Sequence, residues 1–225
     1  MRINIAIDGP SAAGKSTIAK RLASSLNYIH LDTGAMYRSV ALAARRANVD
    51  LKDEETIKTL LPNIDISFDS LGHVFINGED VSEAIRTNEN SLAASAVSTL
   101  LSVRQDLVSR QQKFAAAKGI IMDGRDIGTV VLPDAELKVF MTASAESRAE
   151  RRYKENLSKG IESDFDQLVK EINDRDYQDS HRENSPLKQA EDAILLDTSN
   201  LSIDEVVDAI NQMLNERFPE GVAND

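Results

Sequence analysis

Residues 9–16 read Gly-Pro-Ser-Ala-Ala-Gly-Lys-Ser, and they restrict the fold more than any other stretch of the chain. They match G-x-x-x-x-G-K-[ST], a pattern that average residue frequencies produce in on the order of 1% of chains this long. An apolar run at 3–7 precedes it, and Ile18, Leu22 and Leu26 follow at four-residue spacing. Strand, glycine turn and helix are what the mechanism demands. Gly9 and Gly14 let the backbone curl so that successive N–H groups face one anion, and the helix adds its positive end. Lys15 can reach β and γ phosphates, and the Ser16 hydroxyl is placed to ligate Mg²⁺. The segment predicts a cradle for a nucleoside triphosphate.

The rest of the chain fits around such a unit. Further short aliphatic runs lie at 28–31, 119–122, 137–141 and 194–196. Their continuous apolarity predicts strands covered on both faces, as in a parallel sheet. Helical patterns separate them, among them Tyr37, Ala41 and Arg45 with Val40 and Ala44 beside them. Ser102 followed by Gln105 reads as a capping box, opening a helix that Gly119 closes. The alternation predicts an α/β doubly wound fold around a five-stranded parallel sheet flanked by helices. Two stretches interrupt it. Residues 52–96 carry a short helix at 53–61, then two strands around a glycine turn (Ile64, Ile66, Phe68; Val74, Ile76), an inserted lobe. Residues 146–188 are rich in charge and read as solvated helices forming a mobile flap. The last residues, FPEGVAND, read as a frayed tail.

Composition removes several classes of function. With no cysteine there is no disulfide framework, thiolate zinc site or cysteine nucleophile. A net charge of −11 disfavours non-specific attraction to nucleic acid or an anionic membrane. The apolar run at the start is too short for a signal peptide, and no stretch approaches 18 apolar residues. The expectation is a soluble cytoplasmic protein.

A triphosphate cradle alone does not separate a phosphotransferase from a nucleotide-driven switch. A guanine-specific N-K-x-D string is absent, but ATP-driven modules lack that string too. The arginines favour a kinase, because two polyanions meeting head to head need several cations. Arg38 lies one turn into the helix after LDTGAMYR, and Arg125 follows the strand in IIMDGRDIG. Arg148, Arg151 and Arg152 sit together, with Arg148 and Arg152 also readable as a solvated face. Arg175 and Arg182 are seven apart with Asp179 between them on one face. Arg104 sits in a first helical turn, where the dipole disfavours a cation. Asp123 ends a strand, the place for a carboxylate aimed at Mg²⁺ beside the cradle, and Asp126 lies where it can read a base edge or sugar. His30, His73 and His181 are expected to be structural or surface residues.

Together GPSAAGKS, LDTGAMYR, GRDIGTVVLPDA and INDRDYQDSHR resemble the bacterial cytidylate kinases, which move a phosphoryl group from ATP to CMP or dCMP. The resemblance covers nearly the whole chain. It implies a P-loop kinase fold: core at 1–36, 97–147 and 185–225, a monophosphate-binding domain at 37–96 and a LID at 148–184. It implies that Gly9, Pro10, Ser11, Ala12, Ala13, Gly14, Lys15, Ser16 and Thr17 hold the ATP phosphates, with Ser16 and Asp123 at Mg²⁺. Thr33, Arg38 and Arg125 face the monophosphate, while Ser95, Arg104 and Asp126 recognise cytosine. Arg175 and Asp179 reach the phosphate and sugar, and Arg182 is another phosphate contact. The transfer itself is assigned to Lys15, Arg125, Arg152 and Arg175. The expected partners are ATP, CMP and dCMP, with no nucleic acid, no membrane and a monomeric state.

Overall fold

The computed structural model describes residues 1–69, 72–158 and 160–222. The chain begins with β1 (Asn4–Asp8), α1 (Lys15–Leu26), β2 (Ile29–Asp32), α2 (Thr33–Arg46) and α3 (Glu54–Leu60). A three-stranded element follows, β3 (Ile66–Phe68), β4 (Val74–Ile76) and β5 (Glu79–Asp80), then α4 (Asn88–Val97) and α5 (Leu101–Ala115). The remainder is β6 (Ile120–Gly124), β7 (Leu137–Thr142), α6 (Ala145–Ser158), α7 (Phe165–His181), β8 (Ile194–Asp197) and α8 (Ile203–Arg217). These elements form two compact units, one of Met1–His30 with Lys118–Asp225 and one of Leu31–Ala117.

The first unit is built on the five-stranded sheet, in the order β2-β6-β1-β7-β8. All five expected strands are present, each starting within one residue of its expected position. β1 runs parallel to β6 and β7, with Ile7 opposite Asp123 on one side and Val139 on the other. β1 and β6 are buried throughout, so their unbroken apolarity is explained. That expectation fails for β8, where Leu195 is 56% exposed. β8 pairs only with β7 at the sheet edge, and β2 at the other edge likewise exposes Ile29. Ile18 and Leu22 of α1 pack into the core with Val206, Ile210 and Leu214, one stripe of α8. α8 opens on a capping box: Ser202 Oγ accepts from the Glu205 N–H, and the Glu205 carboxylate accepts from the Ser202 N–H. The supposed frayed tail is otherwise, since Phe218 and Val222 pack against this core; residues 223–225 lie outside the described residues.

The charged stretch at 146–188 also differs from its expectation. α6 and α7 pack on one another through buried Ala149, Leu168 and Ile172, with Ala12 and Tyr153 against them. Only their outer faces are solvated.

In the second unit Val40, Ala41 and Ala44 of α2, with Val97, Val103 and Leu107, are buried. The expected hairpin forms, Ile66 opposite Ile76, although Ser70 and Leu71 of its turn lie outside the described residues. A third strand, β5, was not expected. Asn77 and Gly78 turn into it with φ of 51° and 83°, a two-residue loop that places Ile76 opposite Glu79. The Ser102 capping box is not formed. α5 starts at Leu101, two residues before the start a Ser102 cap would give, and the Ser102 N–H donates instead to Glu54 Oε1 at 2.7 Å. A carboxylate from α3 thus caps the helix. Nor does Gly119 close it, because α5 ends at Ala115.

Candidate functional site

The cradle lies in the first unit, between the carboxyl end of β1 and α1. Gly9 and Gly14 take φ of 149° and 86°, and Ala12 between them is left-handed at 58°. This alternation turns successive N–H groups to one side. Gly14 caps α1 without a side-chain hydrogen bond, and the first turn of α1 holds no acidic residue. The positive end of the helix is therefore left for an outside anion. The buried Ser11 hydroxyl has no hydrogen-bond partner among the described residues. A cradle with an orphaned buried donor fits phosphate oxygens. Thr17 is exposed on the first turn.

Lys15 is buried and its Nζ donates to the Pro10 carbonyl at 2.7 Å. Burial, and then the nearby Arg125 cation, pull its pKa down to about 7, against the pull of Asp123, Asp8 and Asp179. Asp8, which the sequence reading passed over, ends β1 and accepts from the N–H groups of Ile127 and Gly128, both at 2.7 Å. Burial pushes its carboxyl up to about 6, with Asp126 adding to the effect, while the two N–H bonds and Lys15 oppose it. Asp8 thereby clamps the single π-helical turn (Ile127–Val131) that follows Arg125 and Asp126.

Ser16 Oγ donates to Asp123 Oδ2 at 2.7 Å, and His30 Nε2 lies 2.6 Å from Asp123 Oδ1. Of the two expected roles, structural or surface, His30 therefore takes the structural one. A hydroxyl and a carboxylate side by side are hard oxygen donors, and Mg²⁺ is held by one or two such groups, several waters and substrate phosphates. The pair fits Mg²⁺.

Around this lie the arginines of the first unit. Arg125 Nε donates to Asp179 Oδ2 at 2.8 Å, and Arg182 stands 3.9 Å from Asp179 and 3.6 Å from the buried Asp126. Burial alone would raise the Asp179 carboxyl, but Arg125, Arg175 and Arg182 outweigh it and hold it below its ordinary range. Arg125, Asp126, Arg175, Asp179 and Arg182 are therefore one cluster. Arg148 is buried, not on a solvated face: it donates to the Ala143 and Ser11 carbonyls and pairs with Asp176 at 2.6 Å. Arg151 bonds the Ala13 carbonyl and Thr198. Arg152 is half-buried and forms no hydrogen bond or ion pair among the described residues.

The second unit holds the other expected residues. Thr33 is the buried first residue of α2. Asp32 caps that helix, accepting from the Ala35 N–H at 3.0 Å, and its other oxygen takes Arg38 Nη2 at 2.7 Å. Ser95 is half-buried on α4. Arg104 is buried, with Nη1 on the Ser98 carbonyl at 3.1 Å and its guanidinium 5.4 Å from the Tyr37 ring centroid. Ser98 ends α4, so the cation that α5 disfavours rests on carbonyl and aromatic faces instead.

Comparisons with known proteins bear on the family and the fold. The cytidylate kinase family model matches residues 5–216. A cytidylate kinase of Ligilactobacillus salivarius is 54% identical over 219 residues, covering 96% of this chain and 98% of that one. One from Bacillus cereus is 52% identical with the same coverage. Among solved structures, a gluconokinase from Sinorhizobium meliloti superposes with a TM-score of 0.51 at 11% identity, covering 97% of each chain. A shikimate kinase from Bacteroides thetaiotaomicron does so with a TM-score of 0.50 at 12% identity, covering 96% and 99%. At such identities these two speak for the fold alone. No helix among the described residues is long and apolar enough to cross a membrane. With nearly its whole length matched, cradle and GRDIG turn included, the chain belongs to the cytidylate kinase family.

Proposed function

We infer that the protein transfers the γ-phosphoryl group of ATP to CMP or dCMP, giving ADP and CDP or dCDP. Family membership across the chain is the observation that carries this reading. The uncapped helix end, the orphaned Ser11 hydroxyl and the buried Lys15 support a triphosphate donor. An acceptor phosphate oxygen is already anionic, so the reaction needs no strong general base. That oxygen forms a new bond to the γ-phosphorus as the bond to the ADP oxygen breaks. Catalysis is then positioning and charge neutralisation.

Lys15 meets the β- and γ-phosphate oxygens, and residues 9–17 line the rest of the triphosphate. Ser16 and Asp123 would hold Mg²⁺, which when bound would supply neutralisation of phosphate charge. Arg125, Arg152 and Arg175 stabilise the group in transit; Arg152, with no hydrogen bond or ion pair among the described residues, suits that role. In the second unit Thr33 and Arg38 take the monophosphate, and Ser95 and Arg104 the base. In the first, Asp126 accepts from the cytosine amino group, while Asp179 and Arg182 take sugar and phosphate. Residues 37–96 act as the monophosphate-binding domain and 148–184 as a LID whose closure excludes water, which would otherwise take the phosphoryl group. The reading takes the enzyme to be a cytoplasmic monomer on free nucleotides, and its net charge of −11 disfavours polyanionic partners.

A coupled assay with ATP, Mg²⁺ and each of CMP, dCMP, UMP and AMP tests this. CMP and dCMP are expected to turn over fastest. Faster use of AMP or UMP, or ATP hydrolysis that no monophosphate redirects into diphosphate, overturns it. Asp126→Ala is expected to raise the KM for CMP about 10- to 100-fold, the worth of a hydrogen bond to a charged group, and to change that for ATP by less than about threefold. Equal loss for both substrates rejects Asp126 as the base reader.

A further inference from the structure

His30 has no expected part in the cradle or in the arginine cluster. Yet its ring lies 2.6 Å from the carboxylate that holds Ser16. His30 belongs to β2 and Asp123 to β6, neighbours in the sheet, so the two side chains meet beside the first turn of α1. The His30 and Asp123 side chains are only 9% and 5% exposed, so water competes weakly for the bond.

We propose that His30 is a positioning residue for phosphoryl transfer, fixing the Asp123 carboxylate so that it presents the Ser16 hydroxyl to a divalent cation. This rests on the reading of the cradle given above. A carboxylate turns easily about its last torsion, which has only a broad two-fold preference. One hydrogen bond joins the His30 ring nitrogen Nε2 and Asp123 Oδ1. With Oδ1 tied there, the plane of the group is set and Oδ2 is left to Ser16 at 2.7 Å. Ser16 Oγ donates its hydrogen bond to Oδ2, which turns the lone pairs of that hydroxyl away from Asp123. Those lone pairs are what an oxygen-seeking cation needs. The side chain that orients a metal-holding group is commonly worth about 10- to 100-fold in metal affinity or activity.

The test is nucleotide binding in the full-length protein, without turnover. Calorimetry measures ADP affinity with Mg²⁺ and with a chelator, for the unaltered protein, His30→Phe and His30→Gln; thermal melting checks folding. The expected result is that His30→Phe loses about 10- to 100-fold of the affinity gained from Mg²⁺ and keeps its chelator value within about threefold. His30→Gln, whose amide can donate to the same oxygen, keeps most of the gain. A merely structural histidine would lower both affinities together, and that pattern overturns the proposal. So does an unchanged gain in His30→Phe. If His30→Phe fails to fold, a folded His30→Gln that lacks the gain also overturns it, and one that retains it while His30→Ala loses it upholds it. If the unaltered protein shows no gain from Mg²⁺, the reading of the cradle falls as well.

Discussion

Replacing Lys15 by methionine is expected to lower kcat/KM for CMP phosphorylation by about 10³-fold or more, while raising the melting temperature of the nucleotide-free protein. The first effect follows from where the charge is needed. The γ-phosphoryl group carries its charge on three oxygens as it transfers, and a pre-placed cation in a site shielded from water is worth more than one in solution. The second follows from what that cation costs without a ligand. Lys15 is buried, its Nζ donates to the Pro10 carbonyl, and burial followed by the Arg125 cation pulls its pKa from 10.5 to about 7. The folded protein thus binds this proton less tightly than the unfolded chain does. The charge therefore destabilises the fold fully below about pH 7, and the penalty shrinks as pH rises toward 10.5. Methionine keeps the stem and discards the charge. Its advantage in melting temperature is expected to be larger at pH 6 than at pH 9. An advantage that grows with pH, or a lower melting temperature at pH 6, contradicts this account of Lys15.

How much of this was legible in the sequence depends on the distance between partners. The cradle was readable because it is made by consecutive backbone: Gly9 to Ser16 determine it almost unaided. The five strands were readable for the same local reason, as short apolar runs. What escaped was settled by partners far along the chain. Arg148 and Arg152 share a helix face in sequence, but the Ser11 carbonyl, 137 residues away, removes Arg148 from that face. His30 meets its partner in Asp123, 93 residues away. Ser102 and Gln105 have the spacing of a capping box, yet Glu54 reached the helix end first. The capping box at Ser202 and Glu205 and the Asn77–Gly78 turn are, by contrast, local signals carried by neighbouring residues of the sequence. Asp8 lies between these cases. Its place at a strand end beside the cradle was visible, but its two N–H partners, Ile127 and Gly128, were not.

Gly9→Ala is expected to be the most damaging single-methyl change in the first unit. A Cβ at this position would lie 2.0 Å from the Met141 carbonyl oxygen and 3.1 Å from its carbon, both backbone atoms. Met141 cannot retreat easily, because β7 is bonded to β1 on one side and β8 on the other. The residue also holds φ at 149°, which side chains other than glycine rarely adopt. Overpacking of this kind costs about 1–3 kcal/mol and sometimes more, and a strained backbone a further 1–3. Together they amount to about 2–6 kcal/mol, a large share of the ordinary 5–15. The melting temperature is expected to fall by on the order of 10 °C. If the variant folds, the ring of N–H groups starts from a displaced strand end, so ADP affinity is expected to fall even with chelator present. That separates Gly9 from His30, whose loss acts only through the metal. A Gly9→Ala protein that melts within about 2 °C of the original and binds ADP normally would show that the end of β1 can shift, and the close approach of β1 to Met141 would not be what shapes the cradle.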